Sequence, residues 1–206
     1  MKQALSVTRV LSMKKEKLPF EGRWADAFRQ PEKTGVWFIW GNSGNGKSSF
    51  VMQLCKELSK YGNVLYDSLE EGVCLTMQDT LRRFNMQEVK KKFSLLDCES
   101  ITDLSTRLSK RKSADFVIID SIQHSRLNYV KYLALKNKHP KKLLVFISQS
   151  EGRKPLGRSA VNIMYDATLK IWIEGYRAFS KGRFIGDTGK FDIWKKGIEN
   201  YWGSQE

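Results

Sequence analysis

At 206 residues, with 41% hydrophobic and 12% aromatic side chains, the chain is long enough for one medium α/β domain, alone or with a short appendage. That composition excludes a wholly disordered polymer, no stretch approaches the ~20 apolar residues that cross a bilayer, and the polar N-terminus does not read as a signal peptide. Lys and Arg number 36 against 22 Asp and Glu, a net charge of +14.

The basic excess is uneven. Between Arg107 and Arg158, 13 Lys/Arg face only Asp115, Asp120 and Glu151. Cations that displace counterions from a phosphate backbone gain affinity without reading sequence, so a polyanion partner is expected, with a solvated basic surface as the alternative. Cys55, Cys74 and Cys98 are widely spaced, lack a C-x-x-C pair, and have only His124 and His139 for company. Reduced cysteines in a cytoplasmic protein, without a zinc site, are expected.

Residues 1–35 show no clear periodicity and read as an N-terminal arm, with Leu18-Pro19-Phe20, Trp24 and Phe28 in an arm or short helix. Residues 36–206 read as one domain. Val36–Trp40 is an apolar, β-rich run, and Ser49–Tyr61 has helical apolar spacing at Phe50, Val51, Leu54 and Leu58. Strands then follow at Asn63–Asp67, Phe93–Leu96, Phe116–Asp120 and Leu143–Ser148, alternating with helices at Val73–Phe84, Ile101–Lys112 and Ser125–Lys138. Continuous apolar strands alternating with helices predict a mainly parallel sheet covered on both faces. From Glu151 the pattern breaks into a polar loop, EGRKPLGRSA. Short strands at Leu169–Ile173, Tyr176–Phe184 and Gly189–Trp194 then predict an antiparallel extension.

Between the first strand and helix lies Gly41-Asn42-Ser43-Gly44-Asn45-Gly46-Lys47-Ser48, the phosphate-loop pattern G-x-x-x-x-G-K-[ST]. Glycines let the backbone curl so that successive N–H groups meet a phosphate at a helix N-terminus. Lys47 is expected to reach the β- and γ-phosphates and Ser48 to hold Mg²⁺, with Ser49 completing the nucleotide-binding set. Asp120 ends an apolar strand at the edge where α/β sheets bind ligands, and is expected to share the Mg²⁺. Glu70 and Glu71 follow the second strand; Glu70 is favoured to position the attacking water, with Glu71 as the alternative. Gln149, at another strand tip, is a candidate γ-phosphate sensor. Gln123, in IIDSIQ, is a weaker one.

Together the phosphate loop, SLEE, VIIDSIQ and ISQS resemble the RecA-type P-loop ATPase core, and most closely that of DnaB-type replicative helicases and RadA/Sms-type DNA-repair ATPases. The resemblance covers Val36 to about Trp194. It implies ATP as nucleotide, hydrolysis with Mg²⁺, single-stranded DNA as partner, assembly into a ring or filament, and a replication or repair partner protein. Ser180-Lys181-Gly182-Arg183-Phe184 with Gly186 and Phe191 looks like the K-x-R-F-G...G-x-F segment of those families, although Gly182 and the extra Ile185 depart from it. By the resemblance, Lys181 and Arg183 act on a neighbouring subunit's γ-phosphate, and Arg153, Lys154 and Arg158 in the loop Glu151–Val161 contact DNA. The helical domain of DnaB-type helicases and the zinc and protease-like modules of RadA/Sms proteins are missing from this chain. A small-molecule P-loop kinase, with EGRKPLGR as its lid, and a nucleotide-gated regulatory module are the alternatives.

Overall fold

The computed structural model describes residues 3–203. Its helices are α1 (Val7–Ser12), α2 (Arg23–Phe28), α3 (Lys47–Leu58), α4 (Leu75–Arg83), α5 (Ile101–Leu108), α6 (Tyr129–Lys138), α7 (Arg158–Asp166) and α8 (Lys195–Trp202). Its strands are β1 (Gly35–Gly41), β2 (Val64–Ser68), β3 (Phe93–Asp97), β4 (Phe116–Asp120), β5 (Leu143–Glu151), β6 (Lys154–Pro155), β7 (Leu169–Glu174), β8 (Arg177–Gly182) and β9 (Lys190–Asp192). They form one sheet in the order β3-β2-β4-β5-β1-β7-β8-β9, with β6 paired to β5. Pairing is parallel from β3 to β7 and antiparallel across β7-β8-β9, as the apolar runs predict.

The central strands are apolar on successive residues because both sheet faces are covered. Val36, Phe38, Trp40, Val117 and Phe146 face one core, with Leu104 of α5, Tyr132 of α6 and Ile163 of α7. Trp37, Ile39, Tyr66, Ile118 and Val145 face the other, with Phe50 and Leu54 of α3. The parallel register aligns the tips of β1, β2, β4 and β5: Gly41 lies opposite Gln149, and Ser68 opposite Asp120. Those tips carry the residues singled out for chemistry.

Residues 17–28 build directly into this frame. Leu18, Phe20, Trp24 and Phe28 are buried in the core that contains α3. Trp24 packs on Phe191 of β9 with ring centroids 4.3 Å apart, and the Gly186 and Thr188 N–H groups donate to Ala27 and Asp26 carbonyls of α2. In contrast, α1 buries none of its residues.

Two segments differ from their sequence reading. Glu151–Val161, expected to be a mobile loop, is a hairpin followed by helix: Ser150 and Glu151 pair with Pro155 and Lys154, and α7 starts at Arg158 with Ala160 and Ile163 buried. The turn residue Gly152 has φ +60°, and polar loop letters hid its two-residue pairing. Helix α8 lies beyond the elements that the sequence predicts, since Gly197 stands inside it; it buries Gly197 and Ile198 and anchors Trp202 Nε1 to the Gly175 carbonyl. Helix α6 also starts at Tyr129 rather than Ser125, where the Asn128 side chain accepts from the Lys131 N–H and caps it.

Asp67 of β2 is fully buried. Its Oδ1 accepts the Glu99 N–H at 3.0 Å, but its Oδ2 has no partner. Burial pushes the carboxyl from 3.8 up to about 6. Its folded pKa is therefore raised, so its contribution to stability is complete below about pH 4 and is lost as pH rises through about 6. Asp67→Asn is expected to raise Tm at pH 7.5 and to leave it nearly unchanged at pH 4, with equal shifts at both pH values as the contradicting outcome. Trp24→Ala is expected to cost about 3–5 kcal/mol in urea unfolding, as for a large aromatic deleted from a packed core; a loss within experimental error would show residues 17–28 to be an appendage.

Candidate active site

The phosphate loop is shaped by its neighbours as well as its glycines. Gly44 and Gly46 have φ of +74° and +95°, which L side chains rarely adopt. A Cβ on Gly46 would also stand 3.0 Å from the Tyr176 ring, and one on Gly41 would stand 2.3 Å from the Ile173 carbonyl oxygen. Asn45 ties the loop to the β7-β8 turn: its Oδ1 accepts the Gly175 N–H at 2.8 Å, and its carbonyl accepts the Tyr176 N–H. Asn42 Oδ1 accepts the Ser150 hydroxyl at 2.8 Å. The loop opens into α3, whose first residue is Lys47, so free backbone donors face the same space as the side chains.

That space is a cavity of about 890 Å³. Ser43, Gly44, Gly46, Lys47, Ser48 and Ser49 form one wall, and Glu70, Glu71, Asp120 and Gln149 come from the tips of β2, β4 and β5. Gly41, Asn42 and Asn45 support it from below. The Lys47 ammonium donates to the Gly41 and Asn42 carbonyls at 2.7 and 2.9 Å, folded over its own loop. Burial lowers its pKa, opposed by the charges of Asp120 and Glu70.

Asp120 is the most perturbed acid of the site. Burial raises its carboxyl to about 6; the hydrogen bond from the Tyr66 hydroxyl and the charge of Lys47 pull it down, while Glu70 and Glu71 push it up. Three carboxylates thus line the cavity with two permanent cations, Lys47 and Arg83, leaving a surplus of hard oxygen donors. Among the described residues no group of three or more His, Cys, Asp or Glu forms a cation cluster, but the Asp120 carboxylate and the Ser48 hydroxyl, both lining the cavity, are the hard oxygen donors that a Mg²⁺-type cation takes alongside water. The loop amides and Lys47 in turn fit the phosphates that such a cation bridges.

Glu70 is held from two sides. Gln149 Nε2 donates to its Oε1 at 3.3 Å, and His124 Nδ1 lies 3.6 Å from its Oε2 and 3.0 Å from the Ser121 hydroxyl. Glu71 instead turns toward Thr76, whose hydroxyl lies 3.4 Å from it. Gln123, the weaker sequence candidate, is a structural hub: its Oε1 accepts the Gln149 N–H, and its amide donates to Ser148 Oγ and the Leu156 carbonyl.

Sequence reasoning missed the aromatic end of the cavity. Tyr176 and Trp194 line it with centroids 5.1 Å apart, edge to face, and Met52, Met77 and Phe84 add apolar surface opposite the polar wall. Tyr66, the partner of Asp120, was also missed, since a tyrosine inside an apolar strand reads simply as core. Lys181, Arg183, Arg153, Lys154 and Arg158 do not line the cavity. All five are exposed on β8 and its following turn, on the β5-β6 hairpin, or at the start of α7. The basic block is also less free than its composition implied, because Arg107 pairs with Glu99 and Lys136 with Asp166.

Among the described residues, no helix is long and apolar enough to cross a membrane. No family model matches the chain. It is 35% identical over 85 residues to the DNA repair protein RadA of Streptococcus pneumoniae, covering 41% of this chain and 19% of that protein. The same identity and span relate it to RadA of Streptococcus pyogenes, where 18% of that protein is covered. The chain therefore matches about a fifth of the length of these curated relatives. Among solved structures it is similar to a KaiC-like protein of Pyrococcus horikoshii, with 18% identity, a TM-score of 0.57, and 86% of this chain and 98% of that one covered. It is also similar to the flagellar accessory protein FlaH of Methanocaldococcus jannaschii, with 15% identity, a TM-score of 0.60, and coverage of 86% and 92%. With a phosphate loop at the tip of β1, a mainly parallel sheet and an antiparallel C-terminal edge, the chain has the RecA-like P-loop ATPase fold.

Proposed function

We propose that the chain is a Mg²⁺-dependent ATPase that works on single-stranded DNA as a homo-oligomer, in replication, recombination or repair. The observation that carries the DNA coupling is the hydrogen-bonded path from the Glu70 carboxylate to the basic hairpin. Gln149 touches Glu70, the Leu156 N–H donates to the Gln149 carbonyl at 2.9 Å, and Gln123 grips both Gln149 and Leu156. Arg153 and Lys154 ride on that hairpin and would meet the DNA backbone, with Arg158 at the start of α7. The partial identity to the DNA repair protein RadA supports the same partner.

In this reading the loop amides and Lys47 bind the triphosphate, and Ser48 and Asp120 hold the cation. Bound Mg²⁺ would supply charge neutralisation at the β- and γ-phosphates. Glu70, fixed by Gln149 and His124, orients the attacking water and takes its proton at a carboxylate oxygen. Lys47 leaves its own loop carbonyls to meet the charge developing on the transferred phosphoryl group. Gln149 senses the γ-phosphate, since any shift of its amide is transmitted to the hairpin. Lys181 and Arg183 would complete the site of a neighbouring subunit, making turnover depend on assembly.

A small-molecule kinase needs basic residues in a lid that closes over the phosphates. Here EGRKPLGR is a hairpin pinned by Trp40 Nε1 to the Arg153 carbonyl at 3.0 Å, and its cations lie outside the cavity. That geometry favours the DNA-coupled reading.

Lys47→Ala is expected to abolish detectable ATP binding in a filter or fluorescence assay; retained affinity would remove the phosphate loop from the account. Glu70→Gln is expected to keep ATP binding and lower turnover about 10²–10⁴-fold, the usual scale for losing a positioned base. Glu71→Gln should change the rate far less. If the two losses are reversed, Glu71 is the catalytic base. Added single-stranded DNA is expected to raise the wild-type ATPase rate, with a stimulation that weakens as salt rises. A rate that responds to a nucleoside or metabolite instead would restore the kinase reading.

A further inference from the structure

The antiparallel edge of the sheet has two unlike faces. On one, Leu169, Ile171, Ile173, Ala178 and Phe191 are buried, with α2 packed on β8 and β9. On the other, register sets Trp172 beside Phe179 with ring centroids 5.3 Å apart, Lys170 beside Lys181, and Phe179 beside Lys190. Trp172 and Phe179 remain half-buried, whereas Lys181 and Lys190 are exposed. Trp202 of α8 extends the row, 6.4 Å from Phe179, and Tyr201 follows at 5.0 Å from Trp202. Both of these rings are more than two-fifths exposed.

Two cations already sit over the first ring. The Arg153 guanidinium carbon lies 5.6 Å from the Trp172 centroid, and the Lys181 Nζ lies 5.8 Å from it. Both are within the ~6 Å range of cation–π attraction, yet they come from different elements, the β5-β6 hairpin and β8. Along this face Arg153, Lys170, Lys181 and Lys190 outnumber the acid Glu174, and Arg177 is matched by Asp192. The Trp172 and Phe179 rings are tilted 33° to each other, and Trp202 meets Phe179 edge to face at 75°. Aromatic surface beside cations is the combination that unpaired nucleic acid requires, the first for its bases and the second for its phosphates. A double helix hides its base faces, whereas a single strand exposes them to such a surface.

We infer that the outer face of β7-β8-β9, centred on Trp172 and Phe179, is a base-stacking surface for single-stranded nucleic acid, continuous with the Arg153 hairpin. This rests on the reading of the chain as a protein that works on single-stranded DNA, and it names the surface that would distinguish single from double strands. The hairpin, Lys170 and Lys190 supply phosphate contacts, while Trp172, Phe179 and Trp202 supply sequence-tolerant stacking.

The test is fluorescence anisotropy on the full chain without nucleotide. It compares labelled oligothymidylate with an oligomer of the same length in which abasic sites replace the bases. Oligothymidylate is expected to bind about tenfold or more tightly than the abasic strand, a factor within the usual worth of one stacked base. Phe179→Ala and Trp172→Ala should erase most of that gap while leaving abasic binding in place, and Trp172→Phe should restore it. Because oligothymidylate quenches tryptophan on stacking, Trp172→Phe should also remove part of the quench. Equal affinity for the two strands, or a gap that survives both alanine variants, would overturn the stacking surface while leaving DNA binding by the hairpin intact. No binding to either strand would overturn the DNA-directed reading as a whole.

Discussion

Everything around the candidate site follows from one buried charge: the Asp120 carboxylate, screened poorly by water, with the Lys47 ammonium to oppose it and the more exposed Glu70 and Glu71 adding to it. Lys47 donates to the Gly41 and Asn42 carbonyls, and Asp120 accepts from the Tyr66 hydroxyl. A cation would meet the carboxylate oxygens and a phosphate the ammonium, so a triphosphate carrying a divalent cation matches both halves of the site. The fold exists to hold that arrangement in place, since the four strands that deliver the residues are parallel neighbours with both faces buried.

The same geometry ties the site to the surface. Gln149 belongs to β5, which continues past the cavity into the basic hairpin, so the group in contact with Glu70 and the cations Arg153 and Lys154 are a few residues apart. Gln123 locks the end of β5 to the segment after β4, and Trp40 and Trp172 hold the hairpin against the sheet. At the other end of the cavity Asn45 joins the phosphate loop to the β7-β8 turn. The loop, β5 and the β7-β8 turn are therefore joined by a continuous set of hydrogen bonds.

Much of this was legible in the sequence, and the reasons are specific. Val36–Trp40, Phe116–Asp120 and Leu143–Ser148 read as strands because parallel strands buried on both faces are continuously apolar. Gly41–Ser48 was legible because its letters are dictated by backbone conformation and close approach, as Gly46 beneath Tyr176 shows. What was not legible depends on distant partners. Trp24 and Phe28 carry no periodic signal, and their burial follows from the β9 edge more than 150 residues later. Tyr66 and Gln123 acquire roles only through contacts across the sheet, and the Gly197 within α8 finds its reason in the Tyr176 and Trp194 rings that a Cβ there would strike.

The most direct measurement is ATP affinity as a function of Mg²⁺ concentration, in wild type and in Asp120→Asn. If the surplus carboxylate charge organises the site, wild-type affinity for ATP rises steeply with Mg²⁺ and is poor in chelator. Asp120→Asn, with one negative charge fewer, should bind ATP alone better but lose most of the Mg²⁺ response. Affinity that is independent of Mg²⁺ in wild type, or an unaltered Mg²⁺ response in Asp120→Asn, would contradict it.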